Sequence, residues 1–178
     1  LGIAYRGILH HNFEPAVSLD EWFMRVSECG AFDYVDKTPP EDQFKQYFKL
    51  SEKYNLPILC GGWFYTIGLD DHLLFNHLEN GAKLGTLFHN VQIKLKHADG
   101  YPVTNDQIVD IYLRSAEYGD RVGCSPCFEI HINMWSEDFT RIFEVAEEVE
   151  KRGVPFRLTL DHSHIIFKMD NDFEMNLF

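Results

Sequence analysis

The sequence predicts a parallel α/β fold, a (β/α)8 TIM barrel of which this chain supplies about six β/α units. Three observations carry that expectation. Short runs rich in β-branched and aromatic residues alternate with amphipathic stretches of helical period along all 178 residues. No linker, low-complexity stretch or charge block interrupts them, so residues 1–178 read as a single, partial barrel domain. Polar side chains also collect at the C-terminal ends of successive strand-like runs, where a barrel brings them to one mouth. The open doubly wound sheet would show a Gly-rich turn after its first strand. Here that turn is Leu9-His10-His11-Asn12-Phe13, without glycine, and no phosphate-binding GxxxxGK[ST] occurs.

The elements follow in order. A first strand is expected over 3–9. Ser18 and Glu21 then form a capping box ahead of Leu19, Trp22, Phe23 and Val26 at helical spacing, with Gly30 as the stop. Residues 32–36 make the second strand. Thr38-Pro39-Pro40-Glu41 opens the next helix, whose one face carries Phe44, Tyr47, Phe48 and Tyr54. The third strand spans 57–63, a weaker helix 70–84, and the fourth strand 88–95. Thr104 and Gln107 cap a helix bearing Ile108, Ile111, Tyr112 and Ala116. The fifth strand covers 127–133. Ser136 leads into Phe139, Ile142, Phe143, Ala146 and Val149, with Lys151 and Arg152 in the last turn, where cations suit the helix dipole, and Gly153 beyond. A sixth strand over 155–161 and the start of a sixth crossover over 165–178 complete the chain.

Composition narrows the function. Sixteen Lys and Arg against 28 Asp and Glu leave a net charge of −12, a surface that repels nucleic-acid phosphates and anionic lipid. No apolar run approaches the ~18–20 residues that span a bilayer, so neither nucleic acid nor membrane is an expected partner. Four cysteines, only Cys124 and Cys127 being close together, make no disulfide framework, and a reducing, cytoplasmic setting follows. Cys124-Ser-Pro-Cys127 lacks the partner pair or thioredoxin-like context of a metal or redox motif and reads as structural.

Two strands carry the chemistry. Alternation along Cys127–Asn133 sets Glu129, His131 and Asn133 on one face and Phe128, Ile130 and Ile132 on the other. The apolar face suits helices, which leaves a carboxylate and an imidazole facing the barrel axis. A buried carboxylate is costly unless it is paired or binds a cation. In the next unit Leu158 and Leu160 face outward, Asp161 ends the strand and His164 follows in the turn. Carboxylates and imidazoles from neighbouring strands suit Mn²⁺, Co²⁺, Mg²⁺ or Zn²⁺. The alternatives are a satisfied core network around Glu129, and Asp161 as a helix cap or a partner of Arg157.

Glu129 at the end of a fifth strand, followed by Asp161-His162-Ser163-His164 at the end of a sixth, resembles the xylose-isomerase-like TIM-barrel superfamily of sugar isomerases, ketose 3-epimerases, inosose dehydratases and type IV AP endonucleases. The resemblance implies one divalent ion bound by Glu129 and Asp161. It also implies a further His and Glu from barrel units that would follow Phe178, supplied by more chain or by another subunit. His164 in the Asp-x-x-His pattern matches a substrate-contacting position, and His164 or His131 is a candidate catalytic base. The 3-epimerases carry a second glutamate six residues after the first. Here Trp135 stands there, so Trp135 and Trp63 become candidate sugar-stacking faces, with His10 and His97 as further substrate contacts.

The expected chemistry is polarisation of vicinal sugar oxygens by the ion, with loss of a C–H proton beside a carbonyl to give an enediolate. Proton return gives isomerisation or epimerisation, and expulsion of a leaving group gives a dehydratase or lyase, including the C-glycoside deglycosidase type that works with a small partner protein. Two further readings are a metal-free barrel serving as a binding subunit and, from the DNA-cutting branch, a three-zinc nuclease. The second lacks histidines after Asp36 and around Cys60-Gly61-Gly62.

Overall fold

Each strand presents apolar residues to a helix on every second position, and each helix returns an apolar stripe. The computed structural model describes residues 1–4, 17–59 and 61–171 of the chain. Its strands are β1 (Gly2–Ile3), β2 (Tyr34–Asp36), β3 (Ile58–Leu59), β4 (Gly62–Tyr65), β5 (Phe88–Ile93), β6 (Ser125–Ile130) and β7 (Leu158–Leu160). The helices are α1 (Leu19–Cys29), α2 (Phe44–Tyr54), α3 (Asp71–Lys83), α4 (Asn105–Val122), α5 (Phe139–Lys151) and α6 (His162–Asn171). Every strand pairing is parallel, in the orders β1-β2-β3 and β4-β5-β6-β7. Because β3 and β4 are consecutive in the chain, they are two halves of one barrel strand, the first half paired with β2 and the second with β5. Six barrel strands result, each followed by a helix, as the alternation predicts.

Two apolar clusters lie between strands and helices. Ile3, Val35 and Ile58 pack on Trp22, Phe23 and Val26 of α1 and on Tyr47 and Leu50 of α2. Tyr65, Val91, Ile93, Phe128 and Ile130 pack on Leu74 and Leu78 of α3, on Ile108, Ile111 and Tyr112 of α4, and on Ile142, Val145 and Val149 of α5. The opposite strand face, toward the barrel interior, carries Asn90, Gln92, Glu129 and Thr159. Thr159 Oγ1 donates to Asn90 Oδ1.

One departure from plain alternation changes the site. Ile58 and Tyr65 both face the helices, although they lie an odd seven positions apart, so one residue between them is out of step. Gly61 takes up the irregularity at φ 83°. A Cβ there would stand 2.6 Å from Thr38 Oγ1 and 2.7 Å from the Lys37 carbonyl. Asp36 Oδ1 accepts from Gly61 N at 2.8 Å and fixes the turn. Past it, Trp63 and Tyr65 face the helices, while Gly62 and Phe64 face the interior.

The caps behave mostly as the sequence implies. Ser18 accepts from Glu21 N, Gly30 ends α1 at φ 65°, and Thr104 with Gln107 forms a full capping box. Helix α5 differs. Asp138 caps it, and Ser136 lies buried in a 3-10 turn (Trp135–Glu137) that precedes it. Helix α6 begins at His162, earlier than the expected crossover, because Asp161 Oδ1 accepts from Ser163 N at 2.8 Å and Oγ at 2.6 Å. Among the described residues no helix is long and apolar enough to cross a membrane.

Candidate metal centre

β6 runs out at Ile130, and its last inward positions carry Glu129 and, just past the strand, His131. Ser136 ties this end down: its Oγ donates to the Glu129 carbonyl and accepts from His131 N at 3.2 Å. The alternation stops there. Asn133 turns at φ 59°, its N–H held by Glu137 Oε2, so it does not share the face of Glu129.

Glu129, His131 and His164 each offer a ligand atom, and these atoms lie within 4.8 Å of one another. Glu129 is 6% exposed, and one of its oxygens, Oε2, accepts from Gln92 Nε2. Burial raises its carboxyl above the ordinary range. The charges of Asp161 and Asp36 add to the rise, while His131 and the Gln92 bond oppose it. His131 Nδ1 lies 2.6 Å from the Ile132 carbonyl, which fixes Nδ1 as the donor and leaves Nε2 with its lone pair. His164 reaches the same place from the first turn of α6, its ring centroid 3.7 Å from that of His131. Its Nε2 lies 3.6 Å from Asp161 Oδ2, and its Nδ1 is buried with no partner among the described residues.

The other sequence-derived candidates fall as follows. Asp161 ends β7 as expected but stands outside the cluster. Its Oδ1 caps α6, and Ser163 holds its carboxyl below the ordinary range. Trp135 is 1% exposed, packed in the helix-facing core with Nε1 donating to Asn105 Oδ1 at 3.4 Å, so no ligand can stack on it. Trp63 faces α3, edge-on to His77 at 5.9 Å, because of the Gly61 irregularity. His97 caps its own turn, Nδ1 accepting from Asp99 N, and lines a separate cavity of about 350 Å³ between α3 and α4 with Asp71, Asp110 and Arg114. His10 lies outside the described residues. Cys124 and Cys127 are both buried at β6.

Two site residues escape the sequence reading. Phe64, 42% exposed, meets the His131 ring edge-to-face at 5.5 Å and is the aromatic side chain beside the cluster. Gln92 is the amide partner of Glu129. Its signal was the polar residue at every second place of 88–95, Asn90 and Gln92, which alternation sends inward.

No family model matches the sequence, and no curated protein does. Solved structures match the fold. The probable 3-DHS dehydratase AsbF from Bacillus anthracis superposes with TM-score 0.64 at 15% identity, over 98% of this chain and 69% of its own. The 3-keto-D-glucoside 4-epimerase YcjR from E. coli gives 0.60 at 12%, over 93% and 74%. The IolI protein with a bound zinc atom gives 0.57 at 14%, over 84% of this chain and 58% of its own. Further matches are named as xylose isomerase domain and sugar phosphate isomerase/epimerase proteins. These likenesses show the fold, a TIM barrel. The chain covers part of such a barrel, six strands in order, with the Glu129 cluster at the C-terminal ends of the fifth and sixth, where enzymes of barrel fold hold their active sites.

Proposed function

We propose that this protein is a divalent-metal-dependent sugar-modifying enzyme of the isomerase or epimerase type, holding its ion with Glu129, His131 and His164. The carrying observation is the set of unspent lone pairs: His131 Nε2, freed by the Ile132 bond, the orphaned His164 Nδ1, and the Glu129 oxygen that Gln92 does not occupy. Two imidazoles and a carboxylate with open positions suit a catalytic site for Zn²⁺ or a neighbouring transition ion. Outer partners that fix each ligand's tautomer are the usual companions of such a site.

When bound, the ion would act as a Lewis acid that acidifies the C–H beside a sugar carbonyl. The chain's own groups do the rest. The Ile132 carbonyl and Asp161 orient the two imidazoles. Phe64 offers an aromatic face to the C–H face of a sugar. With both imidazoles committed as ligands, the base is a group other than His131 and His164. This reading replaces the expectation that His131 or His164 takes the proton. It implies one ion per chain, a small sugar as partner and a cytoplasmic setting. Dehydratase or lyase chemistry is the second reading, favoured by the likeness to AsbF, because the same proton abstraction precedes loss of a leaving group.

The test is proton exchange. Metal-loaded protein in D₂O is mixed with ketoses, inososes and 3-oxo-glycosides and followed by NMR. Deuterium is expected beside the carbonyl of at least one class, and the exchange is lost in Glu129→Gln. A fully loaded protein that exchanges none of them would contradict the proposal.

A further inference from the structure

Gln92 sits on β5 in the barrel interior, nine-tenths buried, on the strand next to Glu129. Of its two amide ends only one is used: Nε2 donates to Glu129 Oε2, while Oε1 is buried without a partner among the described residues. Its place is prepared by the neighbouring strand. Gly62 faces it without a side chain, and a Cβ there would come 2.9 Å from Asn90 Cβ and 3.5 Å from Gln92 Nε2. The described hydrogen bonds thus tie the Glu129 carboxylate to one side-chain donor, and that donor sits on a strand, the most rigid support the fold provides.

We infer that Gln92 is a positioning residue for Glu129: by occupying Oε2 it holds the carboxylate toward His131 and His164 and leaves a single oxygen for the ion. A carboxylate restricted in this way coordinates through one oxygen and keeps a position open for substrate; released, it would swing or bind through both oxygens. The inference rests on the metal reading above and deepens it, adding to Glu129, His131 and His164 a residue that touches the ion nowhere.

The experiment is zinc binding by purified, metal-free protein, by competition with a chromophoric chelator, with melting temperature measured without metal. Gln92→Met keeps the shape and removes the donor. Gln92→Asn keeps an amide one methylene short of reach, and serves if the Met variant fails to fold. Zinc affinity is expected to fall about 10–100-fold in either variant, the range usual for outer-shell partners, with little change in the metal-free melting temperature. In Co²⁺-loaded protein the d–d absorption is expected to weaken as the carboxylate becomes bidentate and the coordination number rises. Wild-type zinc affinity and an unchanged Co²⁺ spectrum in a folded variant would overturn the inference while leaving the metal reading intact. Wild-type protein that binds no zinc would remove both.

Discussion

The His131 and His164 rings meet with centroids 3.7 Å apart, tilted 39° to one another, although they come from different barrel units, one past the end of β6 and one in the first turn of α6. Each ring has one nitrogen turned to an oxygen, the Ile132 carbonyl or the Asp161 carboxylate, and each offers an atom within 4.8 Å of a Glu129 oxygen. This closeness of two imidazoles to a buried carboxylate is the geometry on which the proposed ion site rests.

Glu129 bears the cost of this arrangement. Its carboxylate is charged against burial and against Asp161 and Asp36, so metal-free Glu129→Gln is expected to be the more stable protein at neutral pH. The gain is expected as a higher melting temperature of the variant at pH 7. Because the folded carboxyl lies above its ordinary value, the difference closes as pH falls toward 4.5 and the side chain at position 129 becomes uncharged in wild type as it is in the variant. Calorimetry at pH 7 and pH 4.5 reads it.

A second titration lies outside the site. Tyr65 Oη links His77 Nδ1 at 2.7 Å and His89 Nε2 at 2.6 Å behind the sheet. Burial pushes the two imidazoles down to about 4 and about 3, from 6.5. The unfolded chain therefore takes up protons that the folded one refuses. Stability is full above pH 6.5 and is lost as pH falls toward 4. His89→Gln is expected to flatten this acid limb in melting curves between pH 7.5 and 4.5. Tyr65→Phe, which strands buried ring nitrogens, is expected to cost about 1–3 kcal/mol.

Phe64 and Trp63 make an internal control, since both are 42% exposed on adjacent positions but face opposite ways. Phe64→Ala is expected to raise KM about fivefold, the loss of ~1 kcal/mol of aromatic contact. Trp63→Ala is expected to leave KM unchanged. Steady-state kinetics on whichever sugar shows exchange separates them. Equal effects would mean that Trp63 reaches the ligand after all.

That pair also shows what the sequence made legible. Along β6 and β7 alternation is regular, so the shared face of Glu129 and His131, the outward Leu158 and Leu160 and the whole order of elements follow from period alone. His164 follows from the Asp-x-x-His spacing, because i and i+3 meet across one helical turn. Trp63 does not, because a single left-handed glycine reverses every side chain beyond it, and the Gly61-Gly62 pair marks a break without stating its direction. Trp135 was misplaced for a similar reason. The Ser136 bond to the Glu129 carbonyl folds the chain back, and a residue six positions on lands in the core.

Gly61 is correspondingly intolerant. Gly61→Ala would need φ 83° and a Cβ 2.6–2.7 Å from Thr38 and Lys37. A loss of about 2 kcal/mol or more is expected by chemical denaturation. A variant of wild-type stability would mean that the strand has slipped to a regular register.

The most direct test is metal stoichiometry, by elemental mass spectrometry, on wild-type protein beside Glu129→Gln, His131→Ala, His164→Ala and Asp161→Asn. The ligand set described here predicts about one divalent ion per chain in wild type, loss in the first three variants and retention with weakened affinity in Asp161→Asn. An ion that survives removal of both imidazoles and leaves with Asp161 would contradict it, as would a wild-type protein that takes up no metal even on reloading.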